Sequence, residues 1–540
     1  MSTEVLLMRL AFKSLVALAL TGIVTVAPVL AQHHAGHEKL GQVTFPNTCS
    51  PAVQADLNRA VALLHSFWWG ATTKAFTEVA QQDPSCGIAY WGVAMAALEN
   101  PFGWPPSPKM LGDGAAAVGR ARAAGAKSQR ELDYIAAIEI FYRDHDKVDH
   151  RTRAVAYEKA MEQLAGRYPD DREAAIFYAL ALNATSVPTD KTYTQQLKAA
   201  AILEAAFREQ PDHPGAAHYL IHSYDYPAIA EKGLGAARRY ATIAPSAPHA
   251  QHMPSHIFTR RGHWEDSIRS NLASAAAADN DFDRFHAWDY LAYGYLQLGQ
   301  DRAARGVLDQ ILSVEKPNVA NFATAFALAA IPARYALERG QWADAASLSL
   351  RPGDFPWARF PQAEAILVFG RGLAAARGGN LAQARDDQTR LAALRDGLLA
   401  AKVGYWADQV DIQRLLVAGW IARAEGRNDD ALQLVRAAAD REDATDKHPV
   451  TPGPIVPARE LLGELLLDVG RPAEALREFE ASQQREPNRL RGYYGAARAA
   501  ELAGDPAKAK GQYAQLVTLA AKADTERPEV TTAKAFLSKP

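Results

Sequence analysis

One stretch of the chain recurs further along the sequence, and this repetition limits the folds that the chain can adopt. Residues 211–222 hold a Pro-x-x-Pro motif followed by His-x-x-x-His, and residues 245–256 hold the same two motifs at the same positions. Within a helix, positions i and i+4 lie on one face, and equivalent positions of neighbouring helical repeats stack side by side. We therefore expect four imidazoles to converge on one surface, those of His218, His222, His252 and His256.

A turn glycine followed five residues later by a small residue recurs through the C-terminal half of the chain. The glycines are Gly262, Gly299, Gly340, Gly379, Gly426, Gly470 and Gly504. Glycine ends a helix readily in the left-handed conformation, and a small residue on the next helix allows two helices to approach closely. Alternating strand patterns and Asn-Gly hairpin turns are missing from the sequence. The pattern predicts an all-α solenoid of helical hairpins of the tetratricopeptide (TPR) type, wound as a right-handed superhelix.

The N-terminal segment, residues 1–31, has the pattern of a secretory signal peptide. Two basic residues precede an apolar run over residues 15–29, and Ala31 offers a cleavage point. Either Met1 or Met8 can be the start. No later stretch has about 20 consecutive apolar residues, so we expect a periplasmic or secreted protein without a membrane span after cleavage. The formal net charge of −2 without a basic block gives no indication of a nucleic-acid partner.

The sequence predicts three parts after the signal peptide: a flexible tail with histidines, N-terminal helical repeats with the histidine cluster, and C-terminal TPR-like repeats, at residues 32–44, 45–260 and 261–540. The chain has two cysteines, Cys49 and Cys86. In an oxidising compartment they are expected to form one disulfide, which stabilises by roughly 4 kcal/mol on the chain-entropy account. A thiolate metal site is the alternative, although no Cys-x-x-Cys is present.

Further motifs are spread over nearly the whole mature length. They lie at residues 37–41, 45–49, 64–69, 83–92 and 447–460, together with the two histidine segments. In these motifs the chain resembles a family of secreted bacterial TPR proteins. The resemblance implies export and a helical-repeat fold, and it brings no settled activity with it.

The histidine cluster is a candidate transition-metal site. Neutral imidazole suits Zn and Cu, and also Ni and Fe, and two His-x-x-x-His pairs on adjacent helices can supply three or four nitrogens to one ion. Asp225 can ligate the ion or orient a ligand imidazole. The further candidate ligands are His249, His286, which follows His252 by the same offset that separates His252 from His218, and His65 as a fifth ligand.

Two observations weaken this interpretation. Pro254 must begin or kink a helix, which would turn His252 and His256 away from a common face. In addition, the turn glycines align Asp289 rather than His286 with His252. The alternative is a hydrogen-bonded packing layer of histidines beside Tyr219 and Tyr224.

A second candidate metal site lies in the predicted tail. After cleavage at Ala31, His34 is the third residue, and a free amine, two amide nitrogens and an imidazole form a square-planar site for Cu(II) or Ni(II). Cyclisation of Gln32 would remove the amine and destroy this site.

Three classes of function remain. The first is a scaffold that binds a protein or peptide on its concave face, and the alternative to it is a metal-dependent enzyme or metal-handling protein. A carbohydrate-binding protein is the third, because the chain has ten tryptophans and an aromatic loop at Trp104. The chain has no phosphate-binding loop, His-Glu-x-x-His, Gly-x-Ser-x-Gly or Cys-x-x-Cys-His motif. The sequence therefore favours binding over catalysis.

Overall fold

The repeated sequence pattern folds into a continuous series of helices. The computed structural model describes residues 38–103 and 105–539, and all of the regular secondary structure in these ranges is helical. The predicted signal peptide, His34 and Trp104 lie outside the described residues.

The α-helices in chain order are α1 Gln54–His65, α2 Trp69–Gln82, α3 Gly87–Ala96, α4 Pro108–Ala124, α5 Gln129–Tyr142, α6 His150–Arg167, α7 Arg172–Ala184, α8 Thr194–Glu209, α9 Pro214–Tyr224, α10 Leu234–Ile243, α11 Pro248–His252, α12 Pro254–Arg260, α13 Trp264–Ala277, α14 Asp281–Gln297, α15 Asp301–Leu312, α16 Phe322–Glu338, α17 Trp342–Ala346, α18 Pro361–Arg377, α19 Leu381–Ala400, α20 Gly404–Ala424, α21 Asn428–Ala444, α22 Ala458–Asp468, α23 Pro472–Arg485, α24 Leu490–Leu502, α25 Pro506–Leu519 and α26 Pro528–Leu537. Short 3-10 turns lie at Pro51–Val53, Pro101–Gly103, Ala230–Gly233 and Trp357–Arg359.

The turn glycines have the conformation that the sequence predicts. All seven have φ between 62° and 82°, in the left-handed region. The small residues five positions further on, from Ser267 to Ala509, are fully buried where successive helices pack. A larger side chain at these points would push the two helices of a hairpin apart. The predicted all-α array of helical hairpins is confirmed.

Apolar side chains form two cores along the array. One core contains residues between Leu40 and Phe258, and the other contains residues between Trp264 and Ala533. Residues 39–540 nevertheless form one compact unit, so the predicted division at residue 260 stays a prediction. Among the described residues, no helix combines the length and the apolar character that crossing a bilayer requires.

The last hairpins of the array turn back onto its middle. The indole Nε1 of Trp264 donates to the carbonyl of Asn488 at 2.6 Å, and Arg527 pairs with Asp301 at 2.7 Å. Helix α24 accordingly packs against α14. This closure places the segment between α21 and α22 beside α9 and α12, where Lys447 pairs with Asp225 at 2.7 Å.

The N-terminal part is fastened at two places. Cys49 and Cys86 form the predicted disulfide, with their Cα atoms 5.0 Å apart, so the alternative thiolate metal site is excluded. Within the predicted tail, the amide of Gln42 donates to the carbonyl of Asp212 at 2.9 Å, and the amide of Ser246 donates to the carbonyl of Lys39 at 3.2 Å. These bonds hold residues 39–42 against the ends of α8 and α10.

Candidate metal centre

Six histidines from four helices meet inside the N-terminal part of the array. Helix α9 contributes two, α11 two, α12 one and α14 one: His218, His222, His249, His252, His256 and His286. Each of these side chains is at most 7% exposed. The cluster therefore contains the four histidines of the repeated motif and two that the sequence indicated as further candidates.

The six imidazoles divide into two groups of three. His218, His222 and His249 form the first triad, and His252, His256 and His286 form the second triad. Within each triad, one nitrogen atom of every ring lies within 4.8 Å of the others. The triads are neighbours, because the ring centroids of His222 and His256 are 5.8 Å apart and those of His249 and His252 are 5.9 Å apart.

The register of the repeated segments explains most of this arrangement. His252 and His256 occupy the positions of His218 and His222 in the next repeat. The same sequence offset, applied once more, leads to His286 and Tyr290 on α14. The ring of His286 is 4.1 Å from that of His252, and Tyr290 Oη is 3.3 Å from His256 Nε2. Asp289, the other residue considered for this position, instead lies 3.8 Å from Arg334.

Pro254 divides one helical segment into α11 and α12 without separating the two histidines. Met253, at the junction, keeps right-handed helical angles of φ −54° and ψ −36°. His252 and His256 therefore remain one turn apart on the same face, and their Nε2 atoms are 2.9 Å apart.

Hydrogen bonds fix the tautomers of these two rings. His252 Nδ1 lies 2.7 Å from Asn271 Oδ1, which must accept because the Asn271 amide nitrogen donates to the carbonyl of Ser267. His256 Nδ1 lies 2.9 Å from a carboxylate oxygen of Asp225, which can only accept while ionised. Both Nδ1 atoms therefore carry the proton of the neutral ring, and two Nε2 lone pairs face each other.

The first triad contains one Nε2 lone pair that is fixed in the same way. His218 Nδ1 donates to the carbonyl oxygen of His65 at 2.6 Å, so His218 Nε2 also presents a lone pair. This atom is 3.2 Å from His249 Nε2. Among the described residues, the buried Nε2 of His222 has no hydrogen-bond partner. An unsatisfied buried polar atom costs about 1–3 kcal/mol. The binding of a metal ion or a hydrogen-bond donor to this nitrogen would remove that cost.

Burial keeps the cluster uncharged. Desolvation lowers the pKa of all six histidines, and the positive charge that each ring would impose on its neighbours lowers it further in most of them. For His256 this effect is partly offset by the hydrogen bond to Asp225, which raises the pKa. The rings are therefore neutral near pH 7, which is the form that binds metal ions.

The spacing of the nitrogens suits a metal ion. Zinc-to-imidazole bonds are about 2.0–2.1 Å long, so two nitrogens on one tetrahedral or right-angled ion lie roughly 2.9–3.3 Å apart. The His252–His256 and His218–His249 pairs, at 2.9 and 3.2 Å, fall in this range. The third nitrogen of each triad lies within 4.8 Å of these pairs. A four-coordinate ion held by all three nitrogens would keep one coordination position open, as in catalytic metal sites.

Asp225 orients a ligand ring and does not face the triads with a free oxygen. One carboxylate oxygen accepts from His256 Nδ1 and from Lys447 Nζ, the latter at 2.7 Å, and the other accepts from Arg260 Nε at 2.9 Å. Burial opposes the ionisation of Asp225, but Lys447 and Arg260 hold its pKa well below the usual range. Of the two roles that the sequence allowed, the geometry gives Asp225 the orienting one.

His65 is not a fifth ligand. Its Nε2 lies 2.8 Å from one oxygen of Glu173 and its Nδ1 lies 3.0 Å from the Tyr219 hydroxyl, so the ring points away from the triads. The other oxygen of Glu173 is 2.8 Å from His213 Nε2, and His213 Nδ1 accepts from the amide of Ala216. Every nitrogen of both rings is satisfied in this group. Glu173 lies on α7, far from His65 in the sequence, and no motif indicated the contact.

Aromatic rings enclose the first triad. Phe67, between α1 and α2, has a ring centroid 4.5 Å from that of His218 and 5.5 Å from that of His249. Phe102 stacks on His222 at 4.0 Å. Phe67 has φ of 51°, in a left-handed conformation that is unfavourable for a bulky side chain. Such strain is of order 1–3 kcal/mol and clusters at functional sites.

Comparisons with known proteins show likeness in architecture only. No protein-family model and no curated protein matches the chain. Among solved structures, the human IFIT1 dimer with m7Gppp-AAAA matches with 11% identity and a TM-score of 0.36, over 81% of this chain and 90% of that chain. The APC/C hetero-tetramer Cut9-Hcn1 matches with 10% identity and a TM-score of 0.29, over 89% of this chain and 95% of that chain.

The neutral state of the buried histidines predicts that the metal-free protein loses stability in mild acid. Unfolded histidines take up protons below about pH 6.5, whereas the buried ones, with lowered pKa, do not. The free energy of unfolding should therefore fall as the pH falls from 6.5 to 5, by roughly 1.4 kcal/mol per pH unit for each buried histidine. Denaturant unfolding in the presence of a chelator measures this slope. For the variant His222→Phe, this slope should be smaller by the contribution of one histidine. A wild-type free energy of unfolding that stays constant between pH 6.5 and 5 would contradict the assignment of the buried histidines as neutral.

Proposed function

We propose that the protein binds a pair of transition-metal ions, one in each triad. The observation that carries this proposal is the 2.9 Å contact between His252 Nε2 and His256 Nε2, since the opposite nitrogen of each ring already donates to a fixed acceptor. Two facing lone pairs repel one another, and a cation bound to both removes this repulsion. Zinc and copper are the ions that such imidazole sites suit.

The same protein shows what a packing layer of histidines looks like. In the group of His65, Glu173 and His213, each ring donor meets an acceptor and each ring acceptor meets a donor. The triads lack this complementarity. In the second triad two acceptors face each other, and the single proton of the Tyr290 hydroxyl is offered to both His256 Nε2 and the carbonyl of Thr451. In the first triad His222 Nε2 has no hydrogen-bond partner among the described residues. This contrast favours metal binding over structural packing for the six histidines.

The protein acts outside the cytoplasm in this proposal, in the periplasm or the secreted fraction. The Cys49–Cys86 disulfide supports this location because disulfides persist in oxidising compartments. The predicted signal peptide supports it as well. The open position on each ion makes metal-dependent catalysis or metal handling the role of the site.

Elemental analysis of untagged protein purified from its own compartment should find two transition-metal ions per chain. The double variants His252→Ala/His256→Ala and His218→Ala/His249→Ala should each retain at most one ion, because each dismantles one triad. His263→Ala, outside both triads, should retain two. At a free metal concentration 100 times the dissociation constant, each ion should stabilise the fold by about 2.7 kcal/mol.

The absence of metal from the wild-type protein, together with an unchanged melting temperature after zinc or copper is added, would exclude this function. A wild-type stoichiometry that all three variants share would place the metal elsewhere in the chain.

A second candidate function is the binding of a protein or peptide segment. It is supported by a small pocket between α20, α21 and the segment that leads to α22, which aromatic side chains and charges of both signs line together. The pocket is lined by Arg260, Tyr405, Trp406, Glu442, Arg459 and Arg485, among others. Mixed charges beside aromatic rings are suited to a peptide backbone and its side chains.

Selection of peptides from a random library on the immobilised protein tests this second function. A selected peptide should bind the variant Trp406→Ala at least tenfold more weakly, since aromatic anchors dominate such interfaces, and should bind Trp288→Ala with unchanged affinity. If no peptide is enriched, or if Trp406→Ala binds normally, the pocket is not a peptide site.

A further inference from the structure

The donor set of the two triads constrains the charge of the ions that they hold. All six donors are neutral imidazole nitrogens, and no carboxylate or thiolate belongs to either triad. The charged groups beside the second triad are Asp225, Lys447 and Arg260, and Glu486 lies 3.7 Å from Arg260, so these four groups carry no net charge that could compensate a cation. Two divalent ions would add four positive charges to this buried region, whereas two monovalent ions would add only two. The cost of burying uncompensated charge therefore favours monovalent ions.

Copper meets this requirement. Among the metals that imidazole suits, copper is the one with a stable monovalent form, and three-coordinate sites of nitrogen ligands accept it. The triads also share a boundary, since His222 with His256 and His249 with His252 are ring neighbours across it. Two ions held in neighbouring triads form the kind of paired site in which one small molecule can bind to both metals.

The surroundings of the first triad indicate the nature of that small molecule. Phe67 also lines a small, mainly apolar cavity. Its other lining residues include Leu64, Trp69, Met95, Leu98 and Phe177, together with one carboxyl group, that of Glu99. Phe67 forms a wall of this cavity and packs against His218 and His249. Apolar cavities exclude water and admit small apolar molecules. A neutral diatomic gas fits such a cavity better than an ion or a polar substrate does.

We propose that the two ions are copper and that the reduced, dicuprous form of the site binds dioxygen. Each Cu(I) gives up one electron, and dioxygen takes up both and becomes peroxide bound between two Cu(II) ions. The O–O bond stays intact, and no proton is gained or lost. The metals and their bridge carry a total charge of +2 before the step and +2 after it, because the peroxide adds two negative charges. The reaction therefore adds no net charge to the two triads.

This inference rests on the proposed metal pair, and one experiment distinguishes the failure of each. The metal-free full-length protein is loaded anaerobically with Cu(I), and bound copper is counted. Air-saturated buffer is then added in an oxygen electrode and in a spectrophotometer. Two bound copper ions, uptake of one dioxygen per chain and a new near-ultraviolet charge-transfer band are expected, with little paramagnetic resonance signal because the two Cu(II) ions are coupled.

Three controls complete the design. Zinc-loaded protein should take up no dioxygen, since zinc has no accessible redox change. The variants His249→Ala and His286→Ala each weaken one triad, and each should lose the uptake of one dioxygen per chain and the new band. Binding of two copper ions without dioxygen uptake would overturn this inference and leave the metal pair intact. Failure to bind Cu(I), or oxygen uptake that both variants retain at the wild-type stoichiometry, would overturn it as well. The metal pair falls with it only if the zinc-loaded sample also holds no bound ion.

Discussion

The buried carboxylate of Asp225 connects the histidine cluster to the rest of the fold. It accepts hydrogen bonds from His256 on α12, from Arg260 one turn later and from Lys447 in the segment before α22. A buried carboxylate with three such donors stays ionised, and removal of one charged partner of a buried pair typically costs about 3–5 kcal/mol. Asp225 therefore holds together segments that lie far apart in the sequence, and it also fixes which nitrogen of His256 faces the second triad.

The repeat architecture explains how so many imidazoles come to lie together. One turn of helix separates His218 from His222 and His252 from His256, and one repeat separates the two pairs. A solenoid stacks equivalent positions, so a pair on one helix becomes a row across neighbouring helices. His249 adds a third ring to the pair on α9, and His286 adds a third ring to the pair formed by His252 and His256. The aromatic rings of Phe67 and Phe102 shield the first of these triads from water. The stacking of equivalent positions in neighbouring repeats thus produces a buried, uncharged cluster of imidazole nitrogens.

The sequence predicts the features that depend on local chemistry. The left-handed turn glycines, the disulfide and the all-α array follow from residue types at short spacing, and the register of the repeated segments placed His218 and His252 on neighbouring helices. Features that depend on distant contacts were not predictable. No short sequence motif indicates that His65 forms a hydrogen bond with Glu173. The same is true of the packing of the C-terminal hairpins against the middle of the array, which places Lys447 beside Asp225. The division of the cluster into two triads, rather than one site for four histidines, also requires the three-dimensional positions of the rings.

Anomalous diffraction from crystals of the metal-loaded protein tests the central claim most directly. Data collected on either side of the absorption edge of the bound metal should show two separate peaks. One should lie beside His218 Nε2, among the rings of His218, His222 and His249, and the other beside the Nε2 atoms of His252 and His256, among the rings of His252, His256 and His286. A single peak at the boundary between the triads, or peaks only at the chain termini and surface, would contradict the account of two adjacent three-histidine sites.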